Sequence, residues 1–167
     1  ARFVAFIGAG DISILHAAAI KEIPGWRLKG VWDIVTETAQ AKAKDFGCDS
    51  YLSVETLLSD SDVSVVFVLT PLESHVTYAC MALEQGKHVL VEKPAGVSVA
   101  EIERMQAAAE KNGVLCVPVH NYIYDQGVAR AKDLLDRGKL GKLVSLYVMY
   151  NIHHPEAVAQ RYPGVIR

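Results

Sequence analysis

The chain has 167 residues, a length that suits one domain, or one domain and part of another. Hydrophobic residues make up 51% of it, which predicts a packed core, and a net charge of −2 offers no basic surface for nucleic acid. The longest apolar runs, 63–69 and 114–119, indicate buried strands, not membrane spans, and three scattered cysteines argue against a disulfide framework. A reducing compartment is therefore expected, and the predicted location is the cytoplasm.

The first predicted strand, residues 3–7, ends in a glycine-rich turn that reads GAGDIS over residues 8–13. The first glycine of such a turn permits a tight bend, and the second lets the backbone approach a diphosphate at the N-terminus of the next helix. Ser13 stands where the usual fingerprint has a third glycine. The turn either binds a dinucleotide or is an ordinary strand-to-helix turn. The predicted cofactor-binding residues are Gly8, Gly10, Asp11 and Ile12.

An acidic residue, Asp33, closes the second predicted strand, residues 28–32. It follows Gly10 at close to the spacing of about 20 residues that is typical of a dinucleotide-binding unit. A carboxylate here accepts hydrogen bonds from the ribose hydroxyls of NAD and would repel the 2′-phosphate of NADP. No arginine follows it directly. An acid at this position therefore predicts a bound cofactor and favours NAD over NADP. The structural alternative is a solvated acid at the end of a strand.

The predicted strand 64–69 ends in Thr70 and Pro71, and His75 follows shortly afterwards. Ligands of open α/β sheets bind outside the carboxyl ends of the strands, so this segment is a candidate part of a binding site. The structural alternative is a helix-entry turn in which Ser74 is the N-cap residue. On the same view His75 is a surface or capping histidine.

The predicted strand 88–91 leads into Glu92, Lys93 and Pro94. If the strand continued through the two charged residues, their side chains would point to opposite faces of the sheet, and only one would face the cleft. A lysine in that position suits proton transfer or the binding of a substrate oxygen. The alternative is a solvated pair of charges at the end of a strand.

Amphipathic helices are predicted between the strands, among them 74–85 and 98–112. The second opens with Ser98-Val99-Ala100-Glu101, the pattern of a capping box, and a last strand is predicted at 115–119. Apolar strands that alternate with amphipathic helices predict an α/β fold with a doubly wound parallel sheet. Residues 1–120 are therefore predicted to form a dinucleotide-binding domain.

The pattern changes after residue 120. A helix is predicted from Asp125 to Arg137, and a longer strand from Leu143 to Tyr150, which has no later strand to pair with. We interpret residues 121–167 as the beginning of a second, sheet-containing α/β domain, so the chain is expected to be a fragment of a longer protein.

Thr70-Pro71, His75 and the run GKHVLVEKP at residues 86–94 resemble the signature of the Gfo/Idh/MocA oxidoreductases. The resemblance extends from the glycine turn to Gly141, and the GKHVLVEKP run is its most specific part. It implies an N-terminal Rossmann domain that binds NAD or NADP, and a C-terminal α/β domain that shapes the substrate site and usually the interface of a homo-oligomer. Most members oxidise or reduce a secondary alcohol of a sugar or cyclitol by hydride transfer.

The resemblance also implies roles for individual residues. Lys93 matches the lysine that orients the reacting hydroxyl and relays its proton, so it is the predicted catalytic residue. Glu92 matches an acid near the nicotinamide, and Asn121 matches a position at the domain junction. Thr70, Pro71 and His75 match positions that line the cofactor pocket. No metal site is predicted, because adjacent residues such as His153 and His154 diverge along a strand.

Two departures from the family pattern keep other functions open. Ile123 replaces a frequent arginine, and the acid and histidine of the second domain are expected beyond Arg167. The resemblance favours a dehydrogenase of a sugar, cyclitol or related polyol. The alternatives are a redox-neutral sugar hydrolase or lyase that uses bound NAD transiently, and a dinucleotide-binding fragment or pseudo-enzyme without turnover.

Overall fold

The computed structural model describes residues 1–149. They belong to two compact units, divided between His120 and Asn121. The first unit is built on one sheet, and the second contains a helix.

The first unit contains a six-stranded parallel sheet with the strand order β3-β2-β1-β4-β5-β6. This order confirms the predicted doubly wound fold, because the chain builds outward from β1 first in one direction and then in the other. The strands predicted from the sequence are found to within two residues at each end, whereas the two-residue β3 has no apolar pattern that would predict it. The strands are β1 Arg2–Ile7, β2 Trp26–Trp32, β3 Asp49–Ser50, β4 Val63–Val68, β5 His88–Val91 and β6 Cys116–Pro118.

Five helices connect the strands: α1 Ile12–Glu22, α2 Thr36–Phe46, α3 Val54–Ser59, α4 Leu72–Glu84 and α5 Val99–Asn112. The predicted N-cap role of Ser74 is wrong, because α4 begins two residues earlier and Pro71 is its N-cap. Extended backbone at Pro71 leads directly into the first turn, and the Ser74 hydroxyl donates back to the Pro71 carbonyl instead. Among residues 1–149, no helix combines the length and the apolar character that crossing a membrane requires.

The start of α5 follows the predicted capping pattern in part. The Ser98 hydroxyl accepts a hydrogen bond from the Glu101 N–H, as expected. The Glu101 carboxylate, however, accepts from the Val97 N–H at 2.7 Å, one residue before the N-cap. The two bonds still fix the loop that leads from Lys93 into the helix.

The apolar core lies on both faces of the sheet. Successive residues of β1 point to opposite sides, so Val4 and Phe6 pack under α1 and α2, whereas Ala5 and Ile7 pack under α3, α4 and α5. All four side chains are fully buried. The chain leaves β1 toward one face and the neighbouring β4 toward the other, which opens a crevice at the carboxyl ends of these two strands.

The second unit begins with a short 3-10 helix, Asn121–Tyr124, followed by α6, Gln126–Asp136. The Asp125 carboxylate caps α6 by accepting from the Gly127 and Val128 N–H groups, and the helix matches the predicted one to within a residue at each end. The strand predicted at Leu143–Tyr150 is wrong over 143–149, where the backbone is irregular. None of the described residues pairs with this segment, and an apolar pattern without a partner does not make a stable strand. Tyr150, His153 and His154 lie outside the described residues.

Candidate dinucleotide-binding site

The backbone conformation and the packing of the turn both require a glycine at position 8. Gly8 has a φ of +104°, a conformation that side chains disfavour. A Cβ at this position would lie 2.7 Å from the Leu69 carbonyl carbon and 2.9 Å from the Thr70 nitrogen. Gly8 therefore lets the end of β1 pack directly against the end of β4.

Neither the backbone conformation nor the packing of the protein requires a glycine at position 10. Gly10 is exposed, and a Cβ added to it would meet no protein atom within 4 Å. The space in front of Gly10 is thus open, and it lies at the N-terminus of α1, the positive end of the helix dipole. This arrangement can accept a diphosphate against the backbone.

Ser13 occupies the place of the third glycine without disturbing the turn. The side chain is fully buried, and its hydroxyl donates to the Gly10 carbonyl oxygen at 2.6 Å. Serine therefore ties the first turn of α1 to the glycine turn. Of the other two predicted residues, Asp11 is the exposed N-cap of α1, and Ile12 is half-buried against the core under this helix.

The structure brings Asp33 to the glycine turn, as the sequence spacing predicts. Its Oδ2 accepts a hydrogen bond from the Ala9 N–H at 2.8 Å, and its Oδ1 accepts from the Val35 N–H at 2.9 Å. Each carboxylate oxygen has a further lone pair available for a ligand hydroxyl. Asp33 is therefore bonded to the backbone on both sides, and its role at the ribose of a cofactor remains a prediction.

His75 joins the loops that follow β4 and β5. The residue is only 2% exposed, so it is not the surface histidine of the structural alternative. Its Nε2 lies 2.6 Å from the Thr70 carbonyl oxygen and its Nδ1 lies 2.9 Å from the Pro94 carbonyl oxygen. Each ring nitrogen thus lies within hydrogen-bond distance of a backbone carbonyl oxygen, one in each loop. A direct contact of His75 with a cofactor remains a prediction.

Thr70 and Pro71 form the rim of the crevice beside the glycine turn. Thr70 is half-buried, and its hydroxyl oxygen lies 2.8 Å from the Ser74 hydroxyl oxygen, within hydrogen-bond distance. Pro71 is exposed at the N-terminus of α4. Both residues follow β4, the strand next to β1, and thus flank the crevice from the side opposite Asp33.

Glu92 and Lys93 have different surroundings, because β5 ends at Val91 and the strand does not continue through them. Glu92 is buried, and its Oε1 accepts from His16 Nε2 at 2.7 Å. Its Oε2 accepts from the backbone N–H of Lys93 at 3.0 Å. The Lys93 side chain is exposed and makes no hydrogen bond or ion pair with residues 1–149. The two residues are therefore not a solvated charge pair, and the partner of Glu92 is a histidine of α1 that the sequence analysis missed.

Lys87, the lysine near the start of the GKHVLVEKP run, directly precedes β5 and so lies at the amino ends of the strands, away from the crevice. Its ammonium donates to the carbonyl oxygens of Asp60 and Val63, both at 2.8 Å. Burial lowers the pKa of Lys87 from its usual range. This part of the signature therefore anchors the loop before β4 and does not contribute to the crevice.

Asn121, the last predicted site residue, opens the 3-10 helix of the second unit. Its role at a cofactor or substrate remains a prediction.

The strand order and the glycine turn define the first unit as a Rossmann domain. Residues 2–120 match the sequence model of a family described as an oxidoreductase family with an NAD-binding Rossmann fold. The chain belongs to this family, the Gfo/Idh/MocA oxidoreductases, which confirms the resemblance stated above.

Several curated relatives are dehydrogenases of sugars or polyols. The chain is 35% identical to the glucose-6-phosphate 3-dehydrogenase of Bacillus subtilis, over 88% of this chain and 41% of that protein. It is 31% identical to the inositol 2-dehydrogenase of Salmonella paratyphi B, over 81% and 42% of the two chains. It is also 31% identical to the 2,7-anhydro-N-acetylneuraminate hydratase of Mediterraneibacter gnavus, over 84% and 37%. The chain thus spans about two fifths of the length of these relatives.

Solved structures that share the fold of this chain include complexes with NAD and with NADP. GenD2 of gentamicin A biosynthesis, in complex with NAD, has a TM-score of 0.78 at 29% identity and covers 83% of this chain and 40% of its own. KijD10, a 3-ketoreductase of Actinomadura kijaniata in complex with TDP-benzene and NADP, has a TM-score of 0.76 at 28% identity and covers 82% and 44%. The relatives therefore establish NAD(P) as the coenzyme class of the family.

Proposed function

We propose that this chain binds NAD and forms the coenzyme-binding part of a dehydrogenase that acts on a secondary alcohol of a sugar, cyclitol or related polyol. The observation that carries the proposal is the open space in front of Gly10, next to the bonded pair of Ala9 and Asp33. The fold needs no glycine at this position, since a Cβ would meet no protein atom. A diphosphate that approaches the backbone supplies the reason for the glycine.

The choice of NAD over NADP follows from the charges around Asp33. A carboxylate held at the ribose position accepts hydrogen bonds from the two hydroxyl groups of the adenosine ribose of NAD and repels the 2′-phosphate of NADP. The next three residues, Ile34, Val35 and Thr36, provide no positive charge, and Ile34 is 82% exposed. An exposed aliphatic side chain beside the acid offers an apolar surface to the adenine ring.

The proposed reaction transfers one hydride to the coenzyme and one proton to a side chain of the protein. The bound coenzyme supplies the hydride acceptor. Oxidation of the carbinol removes a hydride from the carbon and a proton from the oxygen. Lys93, exposed at the end of β5, holds the substrate oxygen and in its amine form receives the proton. Thr70, Pro71 and His75 shape the wall between the glycine turn and Lys93, and Glu92 and Asn121 are proposed near the nicotinamide end.

A second candidate function is redox-neutral. The relative named a 2,7-anhydro-N-acetylneuraminate hydratase indicates that such an activity occurs among proteins similar to this chain. Net formation of NADH with a sugar substrate supports the dehydrogenase. Stoichiometric product without accumulation of NADH supports a reaction in which bound NAD is used transiently.

The oligomeric state and the cellular location of the full-length protein are also proposed. The family resemblance implies a homo-oligomer for the full-length protein, and the scattered cysteines predict a cytoplasmic location. Analytical ultracentrifugation of the full-length protein tests the first, because a monomer over the whole concentration range would exclude it. Fractionation of cells tests the second.

Calorimetric titration of NAD into the wild type and Gly10→Ala tests the binding proposal. The added methyl group fills the open space, so we expect at least about tenfold weaker binding with an unchanged melting temperature. Ala19→Ser is the matched control, since it adds one atom at an exposed position farther along α1 and is expected to bind as the wild type does. Equal NAD affinity of Gly10→Ala and the wild type would place the diphosphate elsewhere.

A further inference from the structure

His16 connects the helix of the glycine turn to the loop that carries Lys93. The residue lies in α1, one turn after Ile12, and its Nε2 donates to Glu92 Oε1 at 2.7 Å. The other oxygen, Oε2, accepts from the Lys93 backbone N–H at 3.0 Å. The Glu92 carboxylate thus accepts one hydrogen bond from a histidine of α1 and one from the backbone of the loop after β5, to which Glu92 itself belongs.

The His16 ring is fixed by aromatic packing. It meets the Phe67 ring edge to face, with 5.4 Å between the ring centroids and an interplanar angle of 82°, and it contacts Phe6 at 6.4 Å in the same manner. Phe6 is fully buried and Phe67 is nearly so. The imidazole therefore projects from the core and has little freedom to turn away from Glu92.

The pair is also largely removed from water. The side chains of His16 and Glu92 are 15% and 11% exposed, and hydrogen bonds to a carboxylate are stronger in such surroundings than at an open surface. Since both Glu92 oxygens are engaged, the carboxylate has one preferred orientation, and that orientation fixes the backbone N–H of Lys93.

We infer that His16 is a positioning residue that acts through Glu92 to hold the Lys93 backbone in place against the helix proposed to bind the coenzyme. The inference rests on the proposed function for the meaning of Lys93, but the hydrogen-bonded chain itself does not require a coenzyme. It assigns the buried Glu92 a supporting role, and it leaves the exposed side-chain nitrogen of Lys93 as the group that meets the substrate.

The amide of Lys93 reports this chain of contacts directly. Without coenzyme, we would compare the Lys93 amide resonance and its hydrogen exchange in the wild type, His16→Leu and His16→Gln. Leucine keeps the apolar packing on Phe6 and Phe67 but cannot donate to Glu92. Glutamine places an N–H near the position of Nε2. Leu15→Gln, at an exposed neighbouring position, is the control for a change in α1 itself.

We expect the Lys93 amide proton to resonate downfield in the wild type, as is typical of a carboxylate-bound amide. In His16→Leu we expect it to move upfield and to exchange about tenfold faster. His16→Gln should restore both properties, and Leu15→Gln should change neither. A purely structural role of the ring predicts recovery with leucine and not with glutamine, which would overturn the inference. An unchanged Lys93 amide in folded His16→Leu would overturn it as well.

Two further measurements keep the test decisive. If His16→Leu does not fold, His16→Ala removes the donor with a residue that favours helix and is read in the same way. NAD affinity, measured separately by calorimetry, should be nearly the same in His16→Leu and the wild type, whereas a large loss would assign His16 to coenzyme binding and overturn the inference. If the wild type itself binds no NAD, the proposed function fails, while the amide comparison still decides the role of His16.

Discussion

The Asp33 carboxylate accepts a hydrogen bond from the Ala9 N–H at 2.8 Å, although the two residues are 24 positions apart in sequence. This bond joins the end of β2 to the turn after β1. It holds the acid beside the open space in front of Gly10, where a ribose and a diphosphate would lie next to each other.

Replacement of Asp33 by asparagine should therefore change coenzyme choice. The amide keeps one acceptor oxygen but loses the negative charge, so we expect about tenfold weaker NAD binding and a smaller preference for NAD over NADP. Calorimetry with both coenzymes checks this. Asp45→Asn, which removes an exposed acid of α2, is the control. An unchanged NAD-to-NADP ratio in Asp33→Asn would remove Asp33 from coenzyme recognition.

Gly8 and Gly10 should respond differently to alanine. Gly8→Ala forces a side chain into a left-handed backbone and against Leu69, so we expect a loss of about 2 kcal/mol or more in the free energy of unfolding. Gly10→Ala should retain the wild-type stability, because its Cβ meets no protein atom. Thermal and urea unfolding measure both. Equal stability of the two variants would contradict the assigned division between a packing glycine and a binding glycine.

Much of the fold could be predicted from the sequence, because the strands that lie inside the sheet are largely apolar runs and β1 and β4 are buried on both faces. The position of Asp33 was predictable for a similar reason, since a strand-helix-strand unit has a nearly fixed length. The edge strand β3 was not, because two residues carry no pattern.

The interaction between His16 and Glu92 could not be predicted from the sequence. The two residues are 76 positions apart, and their contact depends on how α1 packs over Phe6 and Phe67. A histidine one turn into α1 gives no signal of its own. The predicted strand at 143–150 failed for the opposite reason, since its apolar pattern was clear but strand formation depends on a partner that residues 1–149 do not provide.

The buried end of the Lys87 side chain should matter for stability and not for coenzyme binding. Lys87→Met removes the ammonium that donates to the carbonyl oxygens of Asp60 and Val63, so we expect a loss of about 1–3 kcal/mol in the free energy of unfolding. Urea unfolding measures the loss. The control Lys111→Met, at an exposed position of α5, should lower the free energy of unfolding by no more than about 0.5 kcal/mol. A stable Lys87→Met variant with impaired NAD binding would contradict the structural assignment.

Asp60 should contribute to the acid sensitivity of the first unit. Its hydrogen bond with the Lys29 ammonium, aided by the Tyr51 hydroxyl, lowers the pKa of the carboxyl from 3.8 to about 2. A carboxyl with a lowered pKa in the folded state stabilises the fold fully above pH 3.8, and this contribution is lost as the pH falls toward 2. The stability difference between the wild type and Asp60→Asn should therefore shrink over that interval. A difference that stays constant from pH 5 to pH 2 would show that the Lys29 interaction does not act through the charge of Asp60.

The most direct test of NAD binding at the glycine turn is to follow the backbone amide resonances of the wild type during an NAD titration. Saturable shifts at Ala9, Gly10 and Ile12, with a smaller response to NADP at equal concentration and none at Lys111, are the predicted result. A folded protein in which saturating NAD leaves the amides of residues 8–13 unchanged would contradict the assignment of this turn as the diphosphate site.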